Sequence, residues 1–505
     1  MEQGVLFPGD AGASQAVAIA NEQERAPLFE GLLEYARKKR IPFHIPGHKR
    51  GKGMDPEFRN FVGDNVLSID LINIAPVDDL HHPQGMIKEA QELAARAFGA
   101  DRTFFSVQGT TGANLAMILA AVEPGDKILI PRNVHKSILT AIVLSGARPV
   151  FMEPEIDTER GVAHGVCLAT VRRCLAEHPD VKAVLVVNPT YFGVCADLKG
   201  IAEVVHERGI PLLVDEAHGA HLYFHPELPM SAMEAGADAA ATSMHKLGGS
   251  LTQSSVLNVR GDRISSDRVQ AVLSMLTTTS TSYILLASLD AARRHLATRG
   301  RELLTRTLAL AERARRAINA IPGLKCLGPE VIGDRSSSYD LDPTKLCITV
   351  TGLGITGAEV EILLREEYGI EVELSDLYNV LCLITPGDTE ESVDRLVTAL
   401  AKIAAVCFQK RPQREVVVRV PKMPPLAMSP REAFYARTEK VPLFASEGRI
   451  MAEFLMVYPP GIPLLLPGER ITAAVLEYIG EHMAAGLPVQ GLEDPTLREV
   501  RVVSE

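Results

Sequence analysis

Two residues in this chain, Lys246 and Asp215, combine a reactive side chain with a suggestive setting. Lys246 lies in the run Ser243-Met244-His245-Lys246-Leu247-Gly248-Gly249, just after the small-residue stretch 237–241. It lacks an acidic i,i+4 partner, because Thr242 and Ser250 hold those positions. One reading is a loop cation on the surface. The other is an amine whose site lowers its pKa, so that it can form a Schiff base with an aldehyde. Asp215 closes the apolar run 211–215 (PLLVD). It reads either as a cap or surface ion-pair partner, or as the carboxylate that keeps a heteroaromatic nitrogen protonated.

Other polar residues repeat the same placement, each following an apolar run. Thr110 and Thr111 sit in the Gly/Thr turn QGTTGAN (108–114), ahead of a helical pattern. A helix N-terminus with two hydroxyls suits a phosphate, although a capped strand-to-helix turn explains the same residues. The turn is neither a Walker A loop nor a G-x-G-x-x-G fingerprint. His135, Asn188 with Thr190, and His218 occupy equivalent places. Ligands of open α/β sheets bind at the carboxyl ends of strands, so these clusters are expected to converge. Pyridoxal phosphate would use them together. It needs a lysine, a carboxylate at its ring nitrogen and donors for its phosphate. Thr110, Thr111, Ser243 and His245 are the phosphate candidates, and His135 could stack on the ring. The cluster DDLHHP (78–83) does not read as a metal site, because adjacent histidines diverge and no third ligand follows at helical spacing.

The elements that must position these residues are predicted as an α/β alternation. Helices are expected over 27–40, 85–98, 115–122, 171–178 and 198–208, and strands over 103–107, 127–131, 149–152, 183–187 and 211–215. The continuous apolar run 183–187 is what a parallel sheet requires. A strand over 251–259, a helix over 267–276 and a long helical stretch over 284–321 follow. A strand–helix–strand unit comes next (346–350, 357–368, 370–374), with Thr356 as a helix cap, and then a helix over 389–406. The proline- and charge-rich stretch 412–425 reads as a boundary. The division expected is an arm (1–27), a large cofactor-binding domain (28–295), a small α/β domain (296–410) and a C-terminal domain (411–505).

With 505 residues, two or three domains are the prior. A net charge of −11 without a basic run argues against nucleic acid. No stretch is long and apolar enough for a membrane helix, and the first residues lack the basic region of a signal peptide. Seven scattered cysteines without a C-x-x-C read as reduced thiols, so a cytoplasmic location is expected.

Eight stretches together carry a resemblance. They are PFHIPGHKRG (42–51), DDLHHP (78–83), QGTTGAN (108–114), RNVHKS (132–137), NPTYFG (188–193), DEAHGAH (215–221), SMHKL (243–247) and YPPGIPLLLPGE (458–469). On these the sequence resembles the Orn/Lys/Arg decarboxylase family of fold-type-I pyridoxal-phosphate enzymes, in its shorter bacterial form without a wing domain. The resemblance implies that Lys246 carries the internal aldimine, Asp215 pairs with the pyridinium and His135 stacks on the ring. It implies that Thr110, Thr111, Ser243 and His245 hold the phosphate and that Ala217 and His218 lie near the ring, with Thr190 in the same cluster. Lys246 and His218 are then the candidate acids that return a proton to Cα. A homodimer with interface sites is implied, acting on a small basic amino acid. Arginine is the first choice, feeding polyamine synthesis, ahead of lysine and ornithine. The distal cation needs an acid, and the candidates are Asp78, Asp79, Glu371, Glu373, Asp376, Glu447 and Glu453. The alternatives are an aminotransferase or aldolase on the same fold, and a catalytically dead regulatory paralogue, which would be expected to lack the lysine or the aspartate.

Overall fold

The computed structural model describes residues 22–333, 336–408, 421–457, 462–484 and 489–504. Most of the expected arm, the core of the 412–425 boundary and residues 458–461 of the YPPGIP motif lie outside them. Seven strands build the central sheet: β1 (Arg102–Ser106), β2 (Lys127–Pro131), β3 (Arg148–Met152), β4 (Val181–Val187), β5 (Leu212–Asp215), β6 (Ala239–Thr242) and β7 (Ser255–Val259). Their spatial order is β1-β7-β6-β5-β4-β2-β3. Only β7 runs against the others.

The middles of the central strands are apolar because both faces of the sheet are buried. Alternate residues point to opposite sides. Ile128, Ile130, Leu185 and Leu213 join one core, and Leu129, Val184, Leu212 and Val214 the other. The longer helices, in chain order, begin with α1 (Pro27–Arg37), α2 (Met86–Phe98), α3 (Gly109–Ala121), α4 (Lys136–Ser145), α5 (Leu168–Glu177) and α6 (Leu198–His206). Helices α3 and α4 cover the first face, and α5 and α6 the second. The residues just before α1 are docked, since Gln23 is buried and its side-chain amide donates to the Leu93 carbonyl at 3.0 Å.

Helix α7 (Tyr283–Asn319) has 37 residues. At about 1.5 Å per residue it is about 55 Å long. Its first turns pack Tyr283, Leu286 and Leu296 into the large core, and its last turns pack Leu310, Ala314 and Ile318 into the next. That next unit is an antiparallel sheet of β8 (Lys325–Cys326), β9 (Lys345–Thr349), β10 (Leu374–Ser375) and β11 (Asn379–Leu383), in the order β8-β9-β11-β10. Helices α8 (Gly357–Tyr368) and α9 (Glu390–Cys407) pack against it. Thr356 caps α8 in a reciprocal box with Glu359. The last segment pairs β12 (Thr438–Pro442) with β16 (Glu499–Val503), and β13 (Leu455–Val457) with β14 (Ile462–Leu465) and β15 (Val489–Gln490).

Three predicted elements need correction. The helix expected from residue 115 begins at Gly109, so the Gly/Thr turn is itself the first helical turn. The strand expected from residue 251 begins at Ser255, because residues 251–254 close a turn in which Ser254 N donates to the Leu251 carbonyl. Residues 370–373 are not a strand. Gly369, at φ 62°, ends α8, and the chain then lays Ile370 and Val372 onto the helix-packed core.

Candidate active site

The carboxyl ends of β5 and β6 bring Asp215 and Lys246 to one place. Asp215 is buried and accepts hydrogen bonds from Asn114 Nδ2 at 3.0 Å and from the Ala217 amide at 3.2 Å. Burial raises its pKa, against the pull of His135, Lys246 and those two donors. Lys246 sits in the short helical turn Met244–Leu247, after β6. Its Nζ is 2.8 Å from His218 Nε2. Burial lowers its pKa, while Asp215 and Glu373 pull it back up. His218 is buried, and desolvation followed by the charges of Lys345 and Lys246 drives its pKa well below the usual value, so the imidazole is neutral. The Tyr191 ring meets it edge-on, with centroids 4.4 Å apart.

A second cluster lies at the start of α3, a helix without a side-chain cap. Thr110 Oγ1 is hydrogen-bonded to Ser243 Oγ and, at 2.8 Å, to Ser255 Oγ. Thr111, next along, is exposed. His245 donates from Nδ1 to the Ser254 carbonyl at 2.9 Å. His135 caps α4, its Nδ1 accepting from the Ser137 amide at 3.2 Å. That leaves its Nε2 as the protonated nitrogen of the neutral ring. Thr190 faces its own turn, with Oγ1 accepting from the Val194 amide at 3.1 Å. Ala217 contributes through its backbone, as a donor to Asp215.

The seven candidate acids separate sharply. Glu373 is beside the site. It accepts from the Tyr191 hydroxyl at 2.6 Å, and its charge is felt by both Lys246 and Lys345. Asp78 is a helix brace, accepting from the amides of Gln84, Gly85 and Ile87 at the head of α2. Asp79 accepts from the His81 amide and Asn73 Nδ2. Asp376 holds the turn before β11 through the amides of Tyr378 and Asn379, and burial lifts its pKa to about 6. Glu371 pairs with Arg365 on the surface at 2.9 Å. Glu453 braces the backbone of Glu493 and Arg501 in the last segment, and Glu447 is exposed there. In this chain, then, Asp78 and Asp376 are spent on backbone donors rather than free for a substrate. His81 is likewise engaged, by Ser274 Oγ and the Thr278 carbonyl. Among the described residues no three metal-type ligands converge.

The structure adds residues that the sequence reading did not assign. Asn114 and Ser255 belong to quoted or neighbouring runs, but their strand register was needed to aim them. Lys345 comes from the second sheet, and its Nζ is 2.6 Å from His218 Nδ1. Arg132 and Glu469 form a buried fork-to-fork pair, with Nη1–Oε1 at 2.5 Å and Nη2–Oε2 at 2.9 Å. Arg132 also donates to the carbonyls of Pro463 and Leu464, tying the last segment to the loop that carries His135.

A mostly parallel seven-stranded sheet, with a lysine after β6, a carboxylate ending β5 and hydroxyls heading α3, defines a fold-type-I pyridoxal-phosphate enzyme. The chain belongs to the Orn/Lys/Arg decarboxylase family: that family's major-domain model matches residues 26–392 and its C-terminal-domain model residues 411–493. It is 62% identical to an arginine decarboxylase of Halalkalibacterium halodurans over 486 residues, covering 96% of this chain and 99% of that one. It is 60% identical to an arginine decarboxylase of Bacillus subtilis over 484 residues, covering 96% and 99%. The solved lysine decarboxylase LdcF of Francisella novicida shares the fold, at a TM-score of 0.83 and 22% identity, over 99% of this chain and 84% of that one.

Proposed function

We propose that this chain removes the α-carboxylate of L-arginine as CO2 and releases agmatine, using pyridoxal phosphate, and that the agmatine feeds polyamine synthesis. The observation that carries the substrate is the near-full-length likeness to two arginine decarboxylases. The site fits the cofactor on its own terms. Asp215 is a buried carboxylate with too few donors to offset its desolvation, so a cationic ring N–H would complete it. The Thr110–Ser243–Ser255 hydroxyls at an uncapped helix N-terminus suit a phosphate. Thr111 and His245 flank that position, and His135 and Ala217 border the ring's place.

Once bound, the cofactor supplies the electron sink for the pair left behind when CO2 departs. The protein supplies the rest. Lys246 offers an amine whose burial favours the neutral, nucleophilic form. His218, within hydrogen-bond reach of Lys246, and Lys246 itself are the groups able to return a proton to Cα. Glu373, braced by Tyr191, is the acid of this chain best placed for the distal guanidinium. A homodimer is proposed as well. Phe43 in its loop is 94% exposed, beside Ile41 and Ile45, and Phe61 in the short helix Pro56–Val62 is 85% exposed, with Phe58 also bare; these are apolar side chains that a second copy would cover. Seven free thiols suit a reducing cytoplasm, and no helix among the described residues is long and apolar enough to cross a membrane.

The test is an assay of purified protein with pyridoxal phosphate and arginine, lysine, ornithine or a keto acid, following CO2 and amine. CO2 with agmatine is expected. Preferential release of cadaverine or putrescine would overturn the substrate. Amino transfer without CO2 would overturn the reaction, and no product at all would favour a regulatory protein.

A further inference from the structure

Asn114 stands between three elements and bonds to two of them. It lies near the start of α3, and its side chain reaches Ser137 in the first turn of α4 and Asp215 at the end of β5. All three residues are buried. The Asn114 amide nitrogen is 3.1 Å from Ser137 Oγ and 3.0 Å from Asp215 Oδ2. Its amide oxygen is buried and has no hydrogen-bond partner among the described residues. An orphaned acceptor carries a desolvation cost, which a residue placed for stability alone would avoid.

Valence fixes which way each proton in this cluster points. The Ser137 backbone N–H can only donate, and it faces His135 Nδ1 at 3.2 Å. Nδ1 therefore presents a lone pair. The Ser137 hydroxyl is 2.8 Å from the same nitrogen, so it gives its one hydrogen there. Only lone pairs are left on Ser137 Oγ to face Asn114, and the amide must turn its NH2 group that way. One N–H then goes to Ser137 and the other to Asp215 Oδ2. Asp215 Oδ1 accepts from the Ala217 amide at 3.2 Å. The carboxylate is thus held at both oxygens, once by backbone and once by Asn114.

We propose that Asn114 is a positioning residue: Ser137 and His135 fix the direction of its amide, and the amide holds Asp215 so that the carboxylate meets the ring nitrogen of the cofactor. The inference rests on the reading that the chain binds pyridoxal phosphate with Asp215 at that nitrogen. His135 then serves twice, at the face of the ring and, through two side chains, at its edge.

The test is a binding comparison on the full-length apoprotein. Pyridoxal phosphate and its carbocyclic analogue, with a C–H in place of the ring nitrogen, are each titrated by equilibrium dialysis. The wild type should prefer pyridoxal phosphate, because only a ring N–H can pair with Asp215. Asn114→Leu has nearly the same volume and lacks both N–H groups. It should cut that preference about tenfold, the scale of one hydrogen bond to a charged group. Ser137→Ala frees the amide to turn and should cut it about threefold. The double variant should lose no more than Asn114→Leu alone, since Ser137 acts through Asn114. Equal weakening of both compounds in Asn114→Leu, or no weakening of either, makes Asn114 a packing residue and overturns the proposal. If circular dichroism shows that Asn114→Leu does not fold, Asn114→Ala takes its place with the same outcomes, and Ser137→Ala decides if neither folds. A wild type that binds both compounds equally removes the contact between Asp215 and the ring nitrogen, so this inference falls while the cofactor reading stands. A wild type that binds neither takes away the cofactor reading, and this inference with it.

Discussion

Two buried groups of charges in this molecule are built on opposite principles. At Arg132–Glu469 every strong demand is met. The guanidinium donates to both carboxylate oxygens and to two backbone carbonyls, and it lies over the Phe151 ring at 4.8 Å. Glu469 also accepts from the Leu466 amide at 2.9 Å. At Lys246–His218–Lys345 two amines share one imidazole, and burial pushes all three groups toward their neutral forms. A satisfied network specifies how parts fit together, whereas an unsatisfied one stores a difference in protonation that chemistry can use. The first group joins the last segment to the strand ends. The second is where the proposed reaction would take place.

The sharpest way to break this contrast is at the unsatisfied cluster. Lys246→Ala should abolish the visible absorbance of the bound cofactor and lower arginine turnover on the order of a thousandfold or more, with little change in melting temperature. Turnover near the wild-type level would remove Lys246 from the chemistry. At the satisfied pair the effect should fall on stability. Glu469→Ala leaves Arg132 buried without its partner and should cost about 3–5 kcal/mol in denaturant unfolding. The double replacement Arg132→Met with Glu469→Leu should recover most of that loss. If it does not, the pair acts through more than its own charges.

Glu216, next to Asp215, gives a smaller and pH-dependent test. It is buried and accepts from Tyr223, the Ala232 amide and Thr242, yet burial raises its pKa from 4.5 to about 8. Its folded value lies above its unfolded value. The stability it contributes is therefore full below 4.5 and lost as pH rises through about 8. Glu216→Gln cannot ionise, so its melting temperature relative to wild type should improve across that window. A difference that stays constant with pH would show that the carboxyl is charged when folded. The smallest effect is expected at Asp78. Asp78→Asn should cost about 1 kcal/mol, as a weakened helix brace, and leave the KM for arginine unchanged. A raised KM would return Asp78 to the substrate's distal end.

Periodicity and punctuation carried much of the fold. The continuous apolar strands could only belong to a sheet covered on both faces, and Thr356 announced the start of α8 through its cap. The stretch 370–374 misled because Ile, Val and Leu at alternating positions look the same on a strand as on a chain folded back over a helix. Ser255 was hidden by register, since only the reversed direction of β7 brings its N-terminal end to the carboxyl ends of the other strands.

The site divides in the same way. Lys246, Asp215 and the hydroxyls of the Gly/Thr turn were legible because each follows an apolar run, and strand ends are where an open sheet gathers its polar residues. Sequence alone thus determined the sheet, its reactive edge and the family. Lys345 lies about a hundred residues beyond Lys246 in an ordinary strand, and Glu469 in a different segment from Arg132. Which of seven acids faces the site and which charge is matched depend on distances between side chains far apart in the chain. Those distances, and the desolvation that turns them into protonation states, exist only once the sheets are packed together.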